Sequence, residues 1–175
     1  MHPIKIVPSA GRRRRAAAAA LAVLVAPLGG AFAHGDVTPQ AVDTKSLPQL
    51  GSSWQDSNPY STDPARKPAI DQTVRAEAVR IGDSGFNQNC ARCHGLQAIS
   101  GGIAPDLRKL DADCTGLADA AKKAACFKEM DAYFVNTVRH GRTRDGRVYM
   151  PPFEGTLSQE AMWAIKSYLE TRREP

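Results

Sequence analysis

The sequence predicts an all-α fold, and three observations predict it. Apolar residues recur at helical steps of three and four in three separate stretches, strand signal is slight, and no internal repeat divides the 175 residues. In "AEAVRIGDSGFNQNCARCH", Gly82, Phe86 and Cys90 fall at steps of four, one stripe along a helix that begins after Pro68. In "CFKEMDAYFVNTVRHG", Phe127, Met130, Phe134 and Val138 share a face, and Gly141 suits a C-terminal cap. In "LSQEAMWAIKSYLETRRE", Ser158 is an N-cap, and Met162, Ile165 and Leu169 form the buried stripe of an amphipathic helix. Arg172 and Arg173 suit the negative end of that helix. Between these helices, residues 95–112 carry Gly95, Gly101, Gly102 and Pro105 and read as loop, while "TRDGRV" holds an Asp-Gly turn.

Residues 1–33 read as an export signal rather than as part of a fold. Lys5 and the arginines at 12–15 form a positive segment, residues 16–28 an apolar run, and Ala31, Phe32 and Ala33 a small-x-small cleavage pattern. The apolar run is shorter than the ~20 residues a membrane-spanning helix needs, so no anchor is expected after cleavage. His34 is the expected mature N-terminus and the periplasm the expected compartment. The signal holds five of the 23 basic residues and none of the 18 acidic ones. The mature chain is therefore formally neutral, and the whole-chain basicity implies no nucleic-acid partner. Residues 34–68 are rich in Pro, Ser, Asp, Gln and Thr and read as an extended arm preceding a domain over 69–175. Leu47, Leu50, Trp54 and Tyr60 would tack it onto that domain; a flexible tail is the alternative.

Cys90, Cys93 and His94, in "CARCH", admit three readings. A dithiol redox pair belongs at a helix start after a strand in a βαβ unit, and none is visible. A zinc ribbon would need a second close pair, but Cys114 and Cys126 have eleven residues between them. Covalent haem attachment explains the residues better. On a helix, positions i, i+3 and i+4 share a face, so two thiols there add across the two vinyl groups of one porphyrin, with the imidazole beneath the iron. For the sixth position, Met130 and Met162 lie on apolar helix stripes and read as core. Met150, in a loop stiffened by Pro151 and Pro152, is the expected distal ligand, and His140 the rival.

With these motifs in hand, residues 76–175 resemble a class I c-type cytochrome, in which N-terminal, middle and C-terminal helices enclose the haem. In that family the glycine matched by Gly82 lets the C-terminal helix cross closely, and Tyr168 matches its aromatic partner. "APDL" resembles the loop whose proline carbonyl, here Pro105, accepts a hydrogen bond from His94 Nδ1. "VNTVRHGR" and "YMPPF" resemble the segment leading to the distal methionine. The stretches "HGDVTPQAVDT", "LGSSWQDSNPY", "NQNCARCHGL" and "DGRVYMPPFEG" are similar to periplasmic cytochromes c that accept electrons from PQQ-dependent ethanol dehydrogenase. That resemblance implies a quinoprotein alcohol dehydrogenase as donor and a downstream cytochrome or terminal oxidase as acceptor. The chain departs from a minimal member in its arm and in "DADCTGLADAAKKAACFKEM". There Cys114 and Cys126 are left over after haem attachment and are expected to pair in an oxidising compartment, contributing about 2–3 kcal/mol.

The function so implied is electron carriage, not enzymology. One covalently attached haem c per chain would cycle between Fe(III) and Fe(II), with the protein supplying no acid, base or nucleophile. Arg139, Arg142, Arg144 and Arg147 cluster before Met150, where they would pair with haem propionates or steer an acidic partner. An open-site haem enzyme or gas sensor would need a free sixth position, against which Met150 argues. A permanent subunit of a larger complex is the other rival.

Overall fold

The computed structural model describes residues 38–62 and 70–174; the expected export signal lies outside them, as do residues 34–37, 63–69 and 175. Helix α1 (Gln72–Asn89) opens at Asp71, whose carboxylate accepts from the Thr73 N–H. It does not run on through the CARCH motif. Cys90, with φ −117°, breaks it, and a single turn, α2 (Ala91–His94), follows. The N–H groups of Cys93 and His94 nevertheless both donate to Cys90 O, at 3.1 and 2.9 Å. The motif thus keeps the i, i+3, i+4 relation although the helix is interrupted.

The expected loop over 95–112 contains two 3₁₀ turns, Leu96–Ala98 and Leu107–Lys109. Helix α3 (Ala112–Thr115) is tied to α4 (Ala120–His140) by a Cys114–Cys126 disulfide with Cα atoms 5.5 Å apart, as expected. Gly141 ends α4 with φ +68°, its N–H donating to Thr137 O. A side chain there would also put Cβ 2.3 Å from Met150 O, so glycine is required twice.

One short hairpin departs from the all-α reading without displacing it. Strands β1 (Arg142–Arg144) and β2 (Arg147–Met150) pair antiparallel, with Arg142 opposite Met150. Asp145 and Gly146 connect them at φ 50° and 73°, the pair of positive angles a two-residue type I′ turn needs. Met150 therefore ends a strand rather than sitting in a free loop. The Asp-Gly signal was legible; the strands it joins are too short and too exposed to show alternation.

Helix α5 (Gln159–Glu170) starts at Ser158, whose Oγ accepts from the Ala161 N–H. It crosses α1 at Gly82, where a Cβ would lie 1.9 Å from Ala164 O, and Phe86 meets Tyr168 with ring centroids 5.3 Å apart. The amphipathic expectation for α5 falls short: every residue from 159 to 169 is buried. The arm supplies the cover. Leu47 and Tyr60 join the core, the Leu50 N–H donates to Glu160 Oε1, and the Gln159 amide bonds Gly51 O, Ser53 O and the Gln55 N–H.

Lys166, at the centre of α5, is fully buried among carboxylates. Its Nζ lies 2.8 Å from Asp111, 3.6 Å from Glu170 and 3.3 Å from Asp131 Oδ1, the last an ion pair out of hydrogen-bond alignment. Arg173 adds a second cation on Asp111 at 2.7 Å and Arg75 one on Glu170 at 3.0 Å. Burial pushes the Asp111 carboxyl up, but Lys166 and Arg173 outweigh it and hold the group below its ordinary range.

Candidate functional site

Five segments converge on a cleft of about 420 Å³: the α1–α2 junction, residues 103–110, the second half of α4, the hairpin with the prolines after it, and the face of α5 that carries Ile165 and Leu169. Its deep wall is apolar and buried, made by Phe86, Phe134, Val138, Phe153, Ile165 and Leu169. Its rim carries Ile103, Tyr133 and Tyr149, exposed by 80%, 51% and 65%. Large apolar groups set so openly around an apolar hollow are what a flat, hydrophobic ligand would cover.

Cys90 and Cys93 are both free thiols and both line the cleft. Burial, then the neighbouring Cys93, pushes the Cys90 thiol up to about 12. A dithiol oxidoreductase depends on a depressed cysteine pKa, so the shift runs the wrong way for that reading. The four-cysteine zinc reading fails as well, because Cys114 and Cys126 are bonded to each other. Among the described residues, no cluster of three His, Cys, Asp or Glu is arranged to hold a metal unaided.

His94 Nδ1 lies 2.9 Å from Pro105 O. A carbonyl can only accept, so Nδ1 is the donor, and in the neutral ring Nε2 is then the nitrogen whose lone pair is available to a metal. Met150, half-buried, is the methionine that lines the cleft; Met162 is fully buried in α5 and Met130 lies on α4 outside the lining. His140 also lies outside it. Its Nδ1 faces Asn136, and its Nε2 is 3.4 Å from Glu154.

The four arginines separate. Arg142 lines the cleft, donating to Thr137 Oγ1 at 2.8 Å and lying over the Tyr133 ring. Arg139 is bound to Glu154 and stacks on Trp54 instead. Arg144 and Arg147 are exposed on the hairpin. Lys109, which no motif singles out, is the other cation of the lining. The site thus offers two thiols, an imidazole nitrogen, a thioether, apolar walls and two cations for carboxylates. These residues fit a c-type haem. Bound there, the haem would supply the one-electron chemistry, held by Cys90, Cys93, His94 and Met150.

Comparison with known proteins bears on the same residues. A family model described as "Cytochrome C oxidase, cbb3-type, subunit III" matches residues 77–169. Cytochrome c550 of Pseudomonas aeruginosa is 52% identical over 141 residues, spanning 81% of this chain and 82% of that protein. Quinohemoprotein alcohol dehydrogenase ADH IIB of Pseudomonas putida is 31% identical over 116 residues, 65% of this chain but 14% of that protein. ADH-IIG of the same organism is 29% identical over 110 residues, covering 12% of its length. No solved structure matches. Among the described residues no helix is long and apolar enough to cross a membrane. A match that takes in the CARCH turn, Pro105 and Met150, with a relative half identical over most of both chains, shows that this chain belongs to the cytochrome c family, electron-transfer proteins rather than enzymes.

Proposed function

We propose that the chain is a periplasmic monohaem carrier that takes single electrons from a PQQ-dependent alcohol dehydrogenase and passes them to a downstream cytochrome or oxidase. Cys90 and Cys93 form the thioethers, His94 and Met150 are the axial ligands, and the Pro105 carbonyl orients the imidazole. The observation that carries this reading is the His94–Pro105 hydrogen bond within a cleft that also collects both thiols and Met150. A sulfur ligand opposite a histidine raises the potential relative to two nitrogens, and two retained ligands keep reorganisation small. The donor assignment rests on likeness. Two proteins whose names join a quinone, a haem and alcohol dehydrogenation each contain a stretch similar to this chain. Arg144 and Arg147 on the exposed hairpin would steer an acidic partner, and Arg142 and Lys109 would meet the propionates.

The test mixes oxidised holoprotein with an active PQQ-dependent ethanol dehydrogenase and follows haem reduction after ethanol is added, at low and high salt. Fast, saturable reduction that slows with salt is expected. No reduction by a demonstrably active dehydrogenase would remove the donor and leave a carrier for another periplasmic dehydrogenase.

A further inference from the structure

The hairpin that delivers Met150 is a poorly buried element. Residues 142–149 are all exposed, so the hairpin itself contributes little packing that would fix the methionine. What fixes it lies at the two ends. At the near end Gly141 packs on the backbone of Met150 and Pro151. At the far end the Phe153 N–H donates to Val138 O, the Glu154 N–H donates to Arg139 O, and the Arg139 guanidinium donates twice to Glu154 Oε1, at 3.1 and 2.6 Å. Pro151 and Pro152 stiffen the link between those anchors and Met150.

An ion pair as open as Arg139–Glu154, with side chains 23% and 42% exposed, is weak by itself. Here the guanidinium also lies 4.1 Å from the centroid of the Trp54 ring. That contact adds cation–π attraction and shields one face of the pair from water. Trp54 is itself held, because Gly51 O and Ser53 O before it and the Gln55 N–H after it bond the Gln159 side chain on α5. The arm therefore reaches the distal side of the cleft through one ring.

We propose that Trp54 is a positioning residue for the sixth ligand: it holds Arg139 on Glu154 and so clamps residues 150–154 against the end of α4. The proposal rests on the reading of Met150 as that ligand. Loosening the clamp lets the thioether leave the iron more readily, so an external ligand competes better for the ferric site.

The test uses oxidised holoprotein and imidazole as the probe, with the Met-to-iron charge-transfer band as the spectroscopic readout. Trp54→Ala and Arg139→Gln are each expected to bind imidazole about fivefold more tightly, the loss of one such contact. Trp54→Phe, which keeps a ring face, stays near wild type, and the double variant is no looser than Arg139→Gln alone. Tyr60→Phe loses the arm's bond to Pro48 O without touching Arg139, and lowers thermal stability with imidazole affinity unchanged. Trp54→Ala with unchanged affinity, or with a change matched by Tyr60→Phe, would overturn the clamp. A wild-type protein lacking the charge-transfer band would remove the Met150 reading and the clamp with it, an outcome separable from an intact band with unshifted variants.

Discussion

Replacing Lys166 by methionine removes the cation at the centre of the buried network and keeps most of the side-chain volume. The consequences differ for its three carboxylates. Asp111 keeps Arg173 at 2.7 Å, and Glu170 keeps Arg75 at 3.0 Å. Asp131, fully buried, loses its lysine and keeps the Asn58 N–H at 2.8 Å. Removing one member of a buried ion pair costs about 3–5 kcal/mol because a charge is left behind in low dielectric. Because Asp111 and Glu170 each keep a guanidinium, the lower end, about 3 kcal/mol, is expected. Against a domain stability of about 5–15 kcal/mol, that is a loss urea unfolding of the holoprotein reads easily from its midpoint.

Adding Asp131→Asn removes the buried charge that faced Lys166 and keeps an acceptor for the Asn58 N–H, so the double variant should recover part of the loss. The pH dependence has a definite sign. In the wild type the folded Asp111 pKa is depressed, so its contribution is present above the unfolded carboxylate pKa and is lost as pH falls through the folded value. In Lys166→Met the buried carboxylates favour their neutral forms, so the deficit against wild type should narrow as pH falls. A single variant that loses less than about 1 kcal/mol, with a deficit flat in pH, would refute the burial of this network and the covering role of the arm.

Gly82→Ala gains about 1 kcal/mol of helix propensity. It also drives a Cβ to 1.9 Å from the Ala164 carbonyl, a contact no rotamer relieves. A net loss of about 2 kcal/mol or more is expected from thermal unfolding. Opening the Cys114–Cys126 disulfide with serine at both positions releases a loop whose ends are 12 residues apart, and should cost about 2–3 kcal/mol in urea with the haem spectrum unchanged. Cys90→Ala or Cys93→Ala should leave haem weakly attached; full haem retention through denaturing electrophoresis in both would defeat the anchor assignment. Met150→Ala should lower the reduction potential and abolish the Met-to-iron charge-transfer band; an unchanged oxidised spectrum would redirect the search for the ligand.

The helices and the cleft were legible where one residue type answers one physical demand. Gly82 is needed because a backbone passes within reach of its Cβ, Gly141 because φ is positive and Met150 O is close, and Ser158 because α5 needs a cap. Cys90, Cys93 and His94 were legible because their spacing survives even the break at Cys90. The hairpin was only half legible. Its turn depends on Asp145 and Gly146, which local sequence reports, while its strands are exposed and only three and four residues long, too short to show alternation.

What stayed hidden is the far side of α5, and the reason is physical. Periodicity assigns Gln159, Glu160, Lys166 and Ser167 to a solvated face, since polar residues at those steps normally meet water. Gln159, Glu160 and Ser167 are buried because a segment 104 to 110 residues away in sequence lies over them, its backbone N–H and C=O groups satisfied by Gln159 and Glu160. Lys166 is enclosed instead by Asp111, Asp131 and Glu170. An arm without regular structure needs partners for its backbone, and a polar helix face can supply them; neither half of that bargain shows in a hydropathy pattern. The same hidden contact puts Trp54 against Arg139 of α4, which bonds Glu154 on the segment that carries Met150. On the proposal that Met150 is the sixth ligand, that side of the cleft is reached by residues that no motif records. The arm is therefore better understood as part of the site's scaffold than as an appendage to it.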